Sequence, residues 1–171
     1  MTVTLEKVPN EHVEQYYTLL KDPTLSINTG TIPYPVTREW AQERLDLRRM
    51  EEDAGTRVDR GLYEGETLVG IAGWFFNERD EMEIGYAIHK DHRGKGLATK
   101  AAGMVIDLLR DGGFDGPIYA QYFKDNVASG RVLEKLGFTA VRETEGISAA
   151  RGGSAPAWVM RLDLKSEGDH A

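Results

Sequence analysis

The stretch from Met82 to Thr99 constrains the fold more than any other. Met82, Ile84, Tyr86 and Ile88 alternate with polar or small residues, the pattern of a half-buried strand. That strand runs into Lys90-Asp91-His92-Arg93, and the glycine-spaced segment Arg93-Gly94-Lys95-Gly96-Leu97-Ala98-Thr99 then opens a long helix. The helix, Gly96 to Arg110, carries Leu97, Ala101, Val105 and Leu108 on one stripe and stops at Asp111-Gly112-Gly113. A helix start of this kind is ready for an anion. Its first N–H groups have no acceptor within the helix, and the helix dipole adds positive character there. Gly94 and Gly96 keep side chains out of the way, and Arg93 and Lys95 add charge at the rim.

Two familiar nucleotide loops fail on spacing. A P-loop needs four residues between its glycines, whereas one residue separates Gly94 from Gly96. The dinucleotide fingerprint needs a parallel strand–helix–strand unit and a small residue where Thr99 stands. The strand before this loop belongs instead to an antiparallel meander. In it, Thr56–Tyr63 and Thr67–Phe76 flank a Glu64-Gly65-Glu66 turn, and Asn77–Asp80 leads into the strand from Met82.

The remaining chain fits around this unit. Residues 2–8 read as a strand ending at Pro9, and Asn10 as the cap of a helix with Val13, Tyr16, Tyr17 and Leu20 on one face. Residues 22–36, broken by Pro23, Gly30, Pro33 and Pro35, read as a loop. Thr37 caps a second helix ending near Glu52. Ile118–Phe123 reads as a strand, Ala128–Leu136 as a helix, and Phe138–Arg142 and Trp158–Leu164 as the last strands. The order is that of an α+β domain with a mixed sheet, one domain over residues 1–165 and a frayed tail at 166–171.

Composition removes several function classes. With 28 acidic against 21 basic residues and a net charge of -7, the balance argues against a general nucleic-acid binder, which needs clustered Lys and Arg. It has no cysteine, so a thiolate nucleophile or thiolate metal site is excluded, and any thiol chemistry must come from a cofactor. The four histidines show no zinc-like spacing, and no metal is expected. No apolar run suits a membrane helix and the N-terminus lacks a leader pattern, so a cytoplasmic setting without membrane contact is expected.

Arg93-Gly94-Lys95-Gly96-Leu97-Ala98 resembles the Arg/Gln-x-x-Gly-x-Gly/Ala loop of the GNAT N-acetyltransferase superfamily. Asn126-Val127-Ala128-Ser129 through Lys135-Leu136-Gly137-Phe138 is similar to the Asn-x-x-Ser…Lys-x-Gly-Phe helix of the RimJ/RimL-like branch. The resemblance implies a mostly antiparallel, twisted sheet with helices on both faces and splayed central strands. It implies acetyl-CoA as cofactor and a primary amine as acceptor, either a protein N-terminus or a small molecule, with a homodimer as a further expectation. The main chain of Ala87, Ile88 and His89 would pair with the pantetheine arm, and an N–H near Ile88 would polarise the thioester carbonyl. The backbone of Arg93, Gly94, Lys95, Gly96, Leu97, Ala98 and Thr99 would hold the pyrophosphate.

The implied chemistry is direct. A neutral amine attacks the thioester carbon, the new C–N bond replaces the C–S bond, the amine loses a proton and the departing thiolate takes one up. Asn126 would contact the pantetheine arm and Ser129 the sulfur, with helix capping as the competing role for Asn126. Many GNAT enzymes place an acidic tyrosine four residues beyond Ser129; here that residue is Leu133, which leaves Ser129 as the acid. Glu83 is the candidate base, although a carboxylate on the face opposite Ile84 and Tyr86 is commonly solvated. Glu143, Glu145, His89 and a water chain compete with it. Residues 22–36 and a strand-connecting loop at 144–156 would flank the acceptor, with Tyr34, Trp40 and Trp74 lining the cleft or joining the core. The alternative function is a module that binds acyl-CoA without transferring it.

Overall fold

A computed structural model describes residues 2–164, so the tail expected at 166–171 lies outside the described residues. The strands are β1 (Val3–Glu6), β2 (Arg57–Glu64), β3 (Thr67–Phe76), β4 (Met82–Ile88), β5 (Pro117–Phe123), β6 (Thr139–Ser148) and β7 (Gly153–Asp163). The helices are α1 (Val13–Leu20), α2 (Pro23–Ser26), α3 (Arg38–Asp53), α4 (Leu97–Asp111) and α5 (Val127–Lys135). All seven strands form one sheet in the order β1-β2-β3-β4-β5-β7-β6. Every neighbouring pair is antiparallel except β4–β5, which is parallel and reaches only Met82↔Ile118 and Glu83↔Tyr119. This mixed, mostly antiparallel α+β architecture is the one the resemblance implied.

Both faces of the sheet are covered. On one, α4 and α5 pack Leu97, Ala101, Val105, Ile106 and Leu133 onto Met82, Ile84, Ile118 and Ala120. On the other, α1 and α3 pack Tyr16, Leu19, Leu20 and Leu45 onto Tyr63, Leu68 and Ile71. The strand alternation decides this division, since successive residues face opposite layers.

Three local expectations need correction. Asn10 does not cap α1; it sits in a 3-10 turn at Asn10–His12, and its Oδ1 accepts from Arg49 Nη1 at 2.7 Å. The segment 22–36 is not all loop. Pro23 occupies the first turn of α2, where a missing N–H costs nothing, and Asp22 caps it by accepting from Thr24 N–H at 3.0 Å. Finally, the expected loop at 144–156 is mostly β6 and β7, leaving only 149–152 as the turn. β6 is a sheet edge, and its more inward positions are Thr144, Gly146 and Ser148, so its period of two carries no apolar signal.

Leu133, at the position of the family's tyrosine, is fully buried between α5 and the sheet. Leu133→Ala should therefore cost about 2–5 kcal/mol, the range for emptying a packed aliphatic site. Urea denaturation followed by circular dichroism would measure it.

Candidate active site

After Glu83 and Tyr119, β4 and β5 part. The register of β4 against β3 fixes what faces the gap. His89 donates its N–H to Val69 O at 2.9 Å, and Ala87↔Ile71, Gly85↔Gly73 and Glu83↔Phe75 are in the same phase. Odd-numbered residues therefore bond to β3, and the main-chain groups of Ile84, Tyr86 and Ile88 point toward β5. Beyond the two paired positions no β5 residue meets them. Ile88 O is taken by Arg93 Nε at 3.0 Å.

A cavity of about 740 Å³ occupies this gap and continues past it. One end is lined by the first turns of α4 and α5, and the other by residues 28–32, Arg57, Asp59, Phe75 and Glu83. Its size suits a cofactor plus part of a second ligand.

At the α4 end, Gly94 and Gly96 adopt φ of 79° and 75°, the left-handed region that glycine enters without penalty. No side chain caps the helix. The first-turn N–H groups of Leu97, Ala98 and Thr99 thus lack intrahelical acceptors and lie beside open space. Leu97 itself is buried, so its contribution here is main chain only.

Arg93 lines the cavity beside this helix start, but its guanidinium is held by other groups. It donates to Ile88 O and to Thr24 Oγ1 at 2.9 Å, and lies 3.6 Å from Asp22 Oδ2. Lys95 is exposed and does not line the cavity; Arg131 and Lys135 of α5 do. His89 is corrected too, because its N–H bonds Val69 O and its carbonyl accepts from His92 N–H at 2.9 Å. Ala87 follows the same phase, and both turn their main chain away from the gap. Ile88 keeps the expected orientation.

Asp22 ties the glycine loop to α2. Its buried carboxylate accepts from Thr24 N–H and Oγ1 (3.0 and 2.7 Å) and from Lys90 N–H at 3.2 Å. Burial acts to raise its pKa, but these hydrogen bonds and Arg93 outweigh burial and hold it below the usual range.

At the centre, Tyr86 OH lies 2.8 Å from Ser129 Oγ and also donates to Ser129 O at 3.3 Å. Burial outweighs the Ser129 hydrogen bond and pushes the Tyr86 phenol up to about 12. Asn126 caps α5 by accepting from Ser129 N–H at 3.4 Å, its competing role, while also lining the cavity. Sequence reasoning missed Tyr86, taking it as one apolar position in an alternating strand. The available signal was a phenol on a buried face, since such a hydroxyl needs a partner.

Glu83 is not a solvated carboxylate. It lines the cavity, accepts from Asn77 Nδ2 at 3.1 Å, and its pKa is raised, first by burial and then by Glu81. Glu143 is instead an exposed partner of Lys124, and neither it nor Glu145 lines the cavity. Tyr34, Trp40 and Trp74 are absent from the walls as well; Trp40 and Trp74 pack against the two cores and Tyr34 is exposed. His92 lines the cavity with a buried Nδ1 that has no hydrogen-bond partner among the described residues.

A parted strand pair thus leads into an uncapped, glycine-opened helix, with proton-bearing groups lining the cavity between. Residues 2–139 match the acetyltransferase (GNAT) domain, and the chain belongs to that family. Over 89 residues it is 39% identical to YjdG, an uncharacterized N-acetyltransferase of Bacillus subtilis (strain 168), covering 50% of this chain and 51% of that protein. The match thus spans about half the length of that relative. In structure the chain is similar to RimL, the ribosomal L7/L12 alpha-N-protein acetyltransferase solved with coenzyme A. The TM-score is 0.84 at 15% identity, over 96% of this chain and 95% of that one. It is also similar to the microcin C7 self-immunity acetyltransferase MccE, solved with acetyl-CoA and AMP. There the TM-score is 0.83 at 15% identity, over 95% and 92% of the two chains. At such identities these structures speak for the fold. No helix among the described residues is long and apolar enough to cross a membrane, and no metal-holding cluster occurs among them.

Asp22→Asn should cost about 1–3 kcal/mol, by weakening hydrogen bonds to a buried charged acceptor. Because the folded pKa is depressed, the wild-type advantage is fully present above the ordinary aspartate pKa of about 3.9. It should shrink as pH falls through the lower folded value. Urea midpoints of both proteins at neutral and acid pH would check the magnitude and the sign.

Proposed function

We propose that the chain is an N-acetyltransferase that moves an acetyl group from acetyl-CoA to a primary amine, by direct attack within a ternary complex. The observation that carries this is the continuity of one cavity. It joins an anion-ready helix start, unpaired strand main chain, a hydroxyl pair and a buried carboxylate. A cytoplasmic setting, where acyl-CoA is available, goes with it.

The residues fit the cofactor. The N–H groups of Leu97, Ala98 and Thr99, with the open space above Gly94 and Gly96, suit a pyrophosphate, and Arg131 and Lys135 add positive charge nearby. The main chain of Ile84, Tyr86 and Ile88 suits the amides of a pantetheine arm, which would take the place of a missing strand. Bound acetyl-CoA supplies an activated acyl carbon and a thiol leaving group.

The protein supplies alignment and proton handling. Glu83 takes the proton from the acceptor ammonium, directly or through water, so that the amine is a free nucleophile. Its raised pKa strengthens it as a base and moves the onset of activity above the ordinary glutamate range. Tyr86 stays protonated up to about 12 and, relayed by Ser129 Oγ or directly, donates toward the departing sulfur. The acid role first given to Ser129 alone is thus shared with Tyr86. Alignment of two bound substrates accounts for a further part of the rate.

Thiol release from acetyl-CoA across a panel of amines and short peptides tests the proposal. Glu83→Gln should lower kcat about 100-fold and remove the acid limb of the pH profile, as expected for loss of a general base. Tyr86→Phe and Ser129→Ala should each lower kcat about tenfold, and the wild type should show no alkaline limb from Tyr86 below pH about 10. Tight coenzyme A binding without thiol release for any acceptor would instead mark an acyl-CoA-binding module.

The cradle has its own test. Gly96→Val should weaken coenzyme A binding at least about tenfold by calorimetry, because a β-branched residue disfavours this φ and fills the anion space. Gly65→Val, at φ 62° in the β2–β3 turn, carries the same backbone strain away from the cavity and should leave the affinity intact.

A further inference from the structure

The acceptor end of the cavity holds a cation that has no carboxylate partner among the described residues. Arg57, Phe75 and Glu83 stand in register on β2, β3 and β4, so their side chains share one face of the sheet. The Arg57 guanidinium lies over the Phe75 ring, 4.5 Å from its centroid. Its Nε is buried and makes no hydrogen bond. Among the described residues no carboxylate lies within ion-pair distance of it.

The neighbouring carboxylate is already in use. Asp59 Oδ2 accepts from Arg44 at 3.1 Å and from Arg48 at 3.3 Å. Arg44 also donates to Tyr16 OH and Thr31 Oγ1, and Arg48 to Glu51. Three arginines thus share two carboxylates, and Arg57 is the one left over. Burial, with Arg48 and Arg44 close by, makes holding its charge costly. A guanidinium does not escape by losing its proton at ordinary pH, so relief must come from an anion.

Arg57 and Glu83 bracket the acceptor space. Two strand spacings separate them, so their Cα atoms lie roughly 10 Å apart with side chains lining the same cavity. Phe75 stands between them in the row, and next to Glu83 along β4 Gly85 presents no side chain, so an added Cβ there would meet open space. We propose that the acceptor is a small amino carboxylate, its amine at Glu83 and its carboxylate on the Arg57 guanidinium. This rests on the transfer reading above and narrows its acceptor. A protein N-terminus lacks this carboxylate, because its α-carboxyl is tied up in a peptide bond. An α- to γ-amino acid has the reach for both groups, and the planar fork of arginine suits a planar carboxylate.

Matched acceptor pairs test it: alanine with ethylamine, phenylalanine with phenethylamine, 4-aminobutyrate with propylamine. In the wild type, kcat/KM for at least one carboxylate-bearing member should exceed that of its partner by roughly 10- to 100-fold, the weight of a buried charge-assisted hydrogen bond. Arg57→Met should collapse that ratio toward one, and Arg57→Lys should restore part of it. A wild-type ratio near one for every pair, or a ratio unchanged in Arg57→Met, would overturn the proposal. So would a peptide with a neutral first residue outperforming every amino acid. If Arg57→Met fails to fold, Phe75→Leu, which removes the ring beneath the guanidinium, must lower the same ratio.

A binding measurement separates this from failure of the transfer reading. N-acetylphenylalanine titrated into the coenzyme A-loaded protein should bind at least tenfold more weakly to Arg57→Met. If no amine is acetylated yet this difference persists, the carboxylate site stands and the enzymatic reading falls. If the difference is absent, the carboxylate site falls.

Discussion

Two residue pairs hold β4 to β5, and the rest of the molecule is arranged around their parting. Met82↔Ile118 and Glu83↔Tyr119 join the halves of the sheet; beyond them the two strands separate. Main-chain polar groups at Ile84, Tyr86 and Ile88 are thereby left without a strand partner, and unpaired backbone groups away from water are costly. In the proposed function an extended ligand would complete this gap. The same parting lets the cavity pass from the α4–α5 face to the α1–α3 face, so that in the proposed reaction a cofactor and an acceptor would approach from opposite layers of the sheet.

The walls of that passage are held by polar contacts between segments distant in sequence. Asp22 and Arg93 bind the glycine loop to α2. Arg151, in the β6–β7 turn, donates to Ile27 O at 2.6 Å and makes a two-pronged contact with Asp125 at 2.8 and 2.9 Å. Ala149 N–H donates to Gly30 O at 3.1 Å. Exposed ion pairs such as that of Arg151 add little stability each. Their consequence is geometric, because they set where residues 27–30 and the β6–β7 turn stand relative to the rest of the cavity wall. On the same side Arg44, Arg48 and Asp59 form a buried network whose own needs are met, and this is why Arg57 stands apart from it.

The elements with strong periodicity were legible in the chain. The meander, α4 and α5 follow from alternation and from a 3.6-residue stripe that tertiary contacts reinforce. The loop Gly94–Gly96 was legible as a glycine-opened helix start because positive φ and an uncapped first turn are local properties. The failures are equally physical. β6 escaped because its more inward positions are threonine, glycine and serine, which carry no apolar signal. α2 escaped because proline was read as a breaker, although it is favourable in a first turn. Asn10 looked like a cap, but the helix begins three residues later.

Within the site, local sequence determined the residue types and tertiary structure decided their partners. The chain alone specified a cysteine-free α+β domain with a glycine-opened helix, and excluded a tyrosine at position 133. Those follow from composition, spacing and backbone conformation, which need no distant contact. The fold alone tied Arg93 to Ile88 and Thr24, spent the main chain of His89 within the protein, buried Glu83 and set Tyr86 beside Ser129. Each of these depends on which strand or helix lies opposite, and side-chain hydrogen bonding and burial are settled only when segments far apart in the chain meet.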